Sequence, residues 1–110
     1  MVKFINLTPH TIYLNDGRKF EPSGQIARVS NQFKEVDLVD DVIIYEVTYG
    51  DIENLPEPDT DVIYIVSNIV LEAGKKKNRW DLVAPATGHP DCIRNEQGQI
   101  VSVPGFIMQY

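Results

Sequence analysis

Side chains that do chemistry are scarce in this sequence. Its 110 residues include one cysteine, Cys92, and two histidines, His10 and His89. A single cysteine excludes an internal disulfide and a cysteine-based metal cluster. The two histidines share no short ligand spacing, so neither a metal nor any other cofactor is expected. The glycines are scattered singly, mostly at turns, which excludes a glycine-rich phosphate loop. Ile12 stands where a His-x-Thr phosphoesterase element starting at His10 would need threonine. No apolar run is long enough to cross a bilayer, and the opening run breaks at Pro9, too early for a signal-peptide core. A cytoplasmic protein is the expectation.

Positive charge is also in short supply. Ten Lys and Arg face sixteen Asp and Glu, a formal net charge of -6. A nucleic-acid polymer, which must have many phosphates neutralised, is a poor partner for such a chain. A small anion such as a mononucleotide remains compatible. It needs one or two arginines and some backbone N–H groups, not a basic face.

What is present reads as a single globular domain over residues 1–110, of ordinary globular composition, with 43% hydrophobic and 24% charged residues. Residues 3–7 and 11–14 are strand-like, and the Asn15-Asp16-Gly17 turn predicts a return through residues 19–21. Residues 25–30 alternate as a strand. Residues 33–39 and 42–49 form a hairpin about Asp40-Asp41. The acidic stretch 51–61 lacks the glycine and distal glutamate of a calcium loop and reads as a solvated loop stiffened by Pro56 and Pro58. VIYIV at 62–66 suits a strand buried on both faces. Ser67 or Asn68 caps a short helix that Gly74 ends or interrupts, and DLVA at 81–84 returns as a strand, a βαβ unit. Residues 92–94 and 99–103 form a last hairpin through Gly98, and 106–108 adds an edge strand. The fold class expected is α+β: a compact, mostly β mixed sheet with hairpins and one short helix.

Candidate ligand contacts follow from this layout. The end of the 62–66 strand feeds into Ser67 and a helix start, where free N–H groups and the helix dipole favour an anion. The alternative is that Ser67 only caps its own helix. Arg28, Arg79 and Arg94 sit in or beside strands and could fork onto a phosphate, or serve structural ion pairs among the sixteen acids. Thr8-Pro9-His10 falls at a strand end, because Pro9 cannot donate to a ladder. There Asn6 and His10 either rim a ligand or form a hydrogen-bonded corner. Tyr45, Tyr49 and Tyr64 could stack on a base or belong to the core. Cys92 reads as a small strand hydrophobe.

The succession Asn6-Leu7-Thr8-Pro9-His10, Pro22-Ser23-Gly24 with Ala27-Arg28, Tyr49-Gly50, Leu55-Pro56-Glu57-Pro58, Tyr64-Ile65-Val66-Ser67, Arg94, Gly98-Gln99-Ile100 and Gly105-Phe106 resembles a family of small phage, prophage and bacterial proteins that open with NLTPH. That family is known mainly as uncharacterised, so the resemblance implies context and no catalytic residue. Phage proteins of this size include sponges that sequester host immune signals. The expectation is noncatalytic binding of a nucleotide-derived ligand, such as a cyclic nucleotide or ADP-ribose derivative, with an anti-defence role. Arg28, Ser67, Arg79 and Arg94 would touch the anion, Asn6 and His10 would form the rim, and a homo-oligomer could share the site. Two alternatives stand beside it. One is a protein-interaction module of phage origin. The other is a small nucleotide-acting enzyme using His10 with Asp81 or Asp91.

Overall fold

A computed structural model describes residues 2–108. Four strands form the central sheet: β1 (Lys3–Asn6), β6 (Val62–Ile65), β7 (Leu82–Pro85) and β10 (Phe106–Ile107), in the order β1-β6-β7-β10. β1, β6 and β7 are parallel and β10 runs antiparallel at the edge, so the sheet is mixed. The fold is α+β, mostly strand, with one short helix. The short pairs β2 (Ile12–Tyr13) with β3 (Lys19–Phe20), and β8 (Ile93–Arg94) with β9 (Ile100–Ser102), are hairpins. Positive φ at Gly17 and Gly98 closes their turns, the conformation glycine adopts without steric cost.

The strand period places Ile5, Tyr64 and Leu82 on one face of the sheet, since they are partners in register. The helix α1 (Asn68–Lys76) covers this face. Its Val70 and Leu71 join Leu7, Tyr64, Val66, Leu82 and Ala84 in the buried core. The opposite face carries the two short hairpins. There Phe4, Phe20 and Phe106 meet with ring centroids 5.4–5.7 Å apart. Phe4 and Phe106 come from the two outermost strands of the sheet, so their rings reach across this face to meet beside Phe20.

Gly74 neither ends nor interrupts α1, which runs on to Lys76. The stop lies further on, where Asn78 takes φ 59° and the Arg79 N–H donates to the Gly74 carbonyl at 2.9 Å. Gly74 is there for close packing: a Cβ at this position would run into Leu82 Cδ1.

The hairpin expected at 33–39 and 42–49 forms about Asp40-Asp41 and runs further at its base than the sequence suggested, as a long ribbon. β4 (Arg28–Val39) and β5 (Val42–Glu53) are twelve residues each, paired antiparallel, and their turn has positive φ at both Asp40 and Asp41. Of the separate strand expected at 25–30, residues 28–30 are the base of this single β4 and residues 25–27 are not strand. Two register irregularities, near Ser30 and Val36, take up the extra residues. Nearly all ribbon residues beyond its base are exposed, so it projects from the domain, whose longest extent is 52 Å. No helix among the described residues is long and apolar enough to cross a membrane.

Candidate functional site

At the carboxyl ends of β1, β6 and β7 the chain builds an open cleft of about 490 Å³. This is where ligands settle on parallel sheets, because the strands end and the connecting loops diverge. One wall is the Thr8-Pro9-His10 corner with Ile12 and Tyr13 of β2. The second is the helix start, Ser67 and Asn68. The third is Pro85 and Thr87 after β7, and Ile100, Val101 and Val103 close the far side.

The corner is held from below by Asn6, which is only 2% exposed. Its Nδ2 donates to the His10 and Phe20 carbonyls at 2.8 and 2.9 Å. Its Oδ1 accepts from the Thr8 N–H at 2.9 Å and the Thr8 hydroxyl at 2.6 Å. The whole amide is thus used within the chain, and Asn6 does not line the cleft. It positions the corner and is not itself part of a rim. Pro9 donates nothing and His10 is exposed on the cleft wall.

Ser67 has both of the functions that the sequence offered as alternatives. It is the N-cap, its Oγ accepting from the Val70 N–H at 3.3 Å, and it lines the cleft. The Ser67 carbonyl takes the Leu71 N–H. The N–H groups of Asn68 and Ile69, at the positive end of the helix dipole, have no intrahelical partner.

The arginines do not converge. Arg79 lies at the opposite, amino-terminal end of β7. Its Nε and Nη2 donate to both oxygens of the fully buried Asp81 at 2.9 and 2.7 Å, and Nη2 also reaches the Pro56 carbonyl at 2.9 Å. That bidentate bond, more than anything else, raises the guanidinium pKa above its ordinary value. Arg79 borders a second hollow of about 290 Å³ with Asp51 and Lys77, which an ion pair of 3.0 Å joins. Arg28 is exposed at the ribbon base, paired in register with Glu53. Arg94 donates to the Gly98 and Thr87 carbonyls at 2.9 and 3.2 Å, so it braces the Thr87 wall from behind. None of the three lines the cleft.

The acid–base parts are separated as well. Asp81 is committed to Arg79, and the Asp91 N–H donates to His89 Nδ1 at 3.0 Å. Among the described residues no group of three or more His, Cys, Asp or Glu side chains is arranged to hold a metal ion. Tyr64 belongs to the core, and Tyr45 and Tyr49 stand on the ribbon. The aromatic ring on the cleft is Tyr13, half exposed on β2. Tyr13 belongs to the strand-like run 11–14, and nothing local to that run announces that its ring faces Ser67 and Ile100 across a cleft.

The lining is mostly apolar, with hydroxyls, an amide and an imidazole gathered where the corner faces the helix start. None of the sixteen acidic residues lines it, nor does any lysine or arginine. No known family model, curated protein or solved structure matches this chain.

Proposed function

We propose that the protein binds, without turning it over, a small nucleotide-derived ligand in the cleft between the Thr8-Pro9-His10 corner and the start of α1. The observation that carries this reading is the juxtaposition of an apolar wall bearing Tyr13 with a free helix N-terminus across about 490 Å³, a volume suited to a small ligand. A base or other flat ring would lie against Tyr13, Ile100 and Val101. A phosphoryl oxygen would accept from the Asn68 and Ile69 N–H groups and the hydroxyls beside them. With no cationic side chain in the lining, a ligand of low charge, such as a cyclic nucleotide, fits better than a polyphosphate.

The resemblance to phage-borne NLTPH proteins sets the context: a sponge acting in the cytoplasm of a bacterial host against a nucleotide-signalled defence. The test is mass spectrometry of small molecules released by heating the protein after exposure to lysate with such a defence active. Near-stoichiometric intact nucleotide, lost in Tyr13→Ala, supports the reading. An empty protein whose melting temperature no authentic signal shifts ends it. The ribbon favours a second reading, a protein-interaction module, because a long apolar surface is exposed there.

A further inference from the structure

From the ribbon we infer that the protein is a twofold dimer, with β4–β5 of one copy laid antiparallel, face to face, on β4–β5 of the other. The pairing register puts Phe33 opposite Val47 and Leu38 opposite Ile43, and sets Tyr45 and Tyr49 on the same face. Val29 and Ile52, paired at the base of that face, pack against the core. The face is therefore a hydrophobic surface that begins in the core and runs on into solvent. Phe33, the most exposed, is 65% accessible, and its ring meets Tyr45 edge-on at 6.2 Å. Glu35 is the one charged residue paired into it.

Size and charge both select a second copy as the occupant. The exposed fractions of Phe33, Leu38, Ile43, Tyr45, Val47 and Tyr49 amount to roughly 600–700 Å² of side-chain surface, close to the ~800 Å² per partner of a standard interface. The two ends of the ribbon differ in charge: the tip is acidic, while at the base Arg28 and the lysines of α1 outnumber Asp51 and Glu53. Its tip bears Asp37, Asp40 and Asp41. Its base meets the Lys75-Lys76-Lys77 end of α1, where Lys76 Nζ stands 5.6 Å from the centre of the Tyr49 ring. A twofold axis at Tyr45 lies four residues from both Asp41 and Tyr49, so each acidic tip falls beside the partner copy's lysines at Tyr49. Glu35, the register partner of Tyr45, sits beside the axis. A parallel arrangement would set tip on tip and repel. The contact is self-complementary, as a twofold interface must be.

Sedimentation equilibrium of the full chain tests this. The expected result is twice the 12.5 kDa chain mass at micromolar concentration. Tyr45→Asp yields single chains that keep their circular-dichroism spectrum. Asp40→Asn with Asp41→Asn, which the positive φ tolerates, weakens the dimer about tenfold and flattens its salt dependence. A single-chain mass for the wild type at roughly 100 μM, or a dimer untouched by Tyr45→Asp, overturns the inference. So does a ribbon buried instead by a different protein.

Discussion

The Thr8 hydroxyl donates to Asn6 Oδ1 at 2.6 Å while the Asn6 amide NH2 spans the carbonyls of His10 and Phe20. One buried carboxamide thus ties the end of β1 to its own corner and to β3. An amide is the only side chain of this size that offers two donors and an acceptor at once. Asn6→Ala strands two carbonyls and the Thr8 N–H, at a cost of about 2–4 kcal/mol. Asn6→Asp keeps the acceptor but turns an anion toward two carbonyls. Its folded-state pKa must rise, so this variant is stable at low pH and loses stability as pH rises through that value. Thermal melts of both variants from about pH 4 to 8 check the pattern.

A second prediction separates architecture from binding. Asp81 is fully buried and takes both bonds of its ion pair from Arg79, far from the cleft. Arg79→Ala leaves that carboxylate without its counter-charge, a loss of about 3–5 kcal/mol. Ligand affinity at a temperature where the variant is still folded stays at the wild-type value. Denaturant unfolding and calorimetric titration on the same sample measure both. A stable variant that no longer binds would return Arg79 to the site.

These two cases mark what the sequence could and could not disclose. Features written in local chemistry were readable: the Asn15-Asp16-Gly17 turn, the Ser67 cap, the Gly98 hairpin, and VIYIV as a central strand. Each depends on residues within a few positions. Features created by distant pairing were not. β1 hydrogen-bonds to β6, more than fifty residues on, and nothing near Lys3 announces it. Asn31 and Gln32 fall between the runs read as strands at 25–30 and 33–39, yet β5 supplies their partners and β4 runs through them. The same holds for the arginines, whose destinations depend on which end of which strand they occupy. Thr8-Pro9-His10 was recognisable as a corner because proline is local. That it faces Ser67 was not, because that depends on strand order.

The Tyr64 hydroxyl gives a pH prediction. It donates to the Glu57 carbonyl at 3.2 Å from the core beside α1. Burial first, and then the carboxylates of Asp81 and Asp59, raise its pKa above the ordinary phenol value. The folded state therefore favours the protonated form more than the unfolded chain does. This contribution is fully present below the ordinary phenol range and is lost as pH rises through the higher folded value. Melting temperature should fall as pH rises above about 10, and Tyr64→Phe should flatten that fall while losing about 1 kcal/mol at neutral pH.

Gly74 offers the sharpest contest between a local rule and packing. Within a helix, glycine to alanine ordinarily gains about 1 kcal/mol, because alanine restricts the unfolded chain and favours helix. Here the glycine is buried, and the added methyl would meet Leu82 Cδ1, itself locked in the core at 2% exposure. Overpacking a closed core costs about 1–3 kcal/mol, so the gain is outweighed and Gly74→Ala is destabilised by about 1 kcal/mol. Leu82→Val removes the obstructing end of the side chain. The double variant should then be more stable than the sum of the two single changes by about 1 kcal/mol, a coupling that a double-mutant cycle of urea unfolding resolves. A stabilised Gly74→Ala would mean that Leu82 has room to turn aside and that α1 lies less tightly on β7 than the geometry requires.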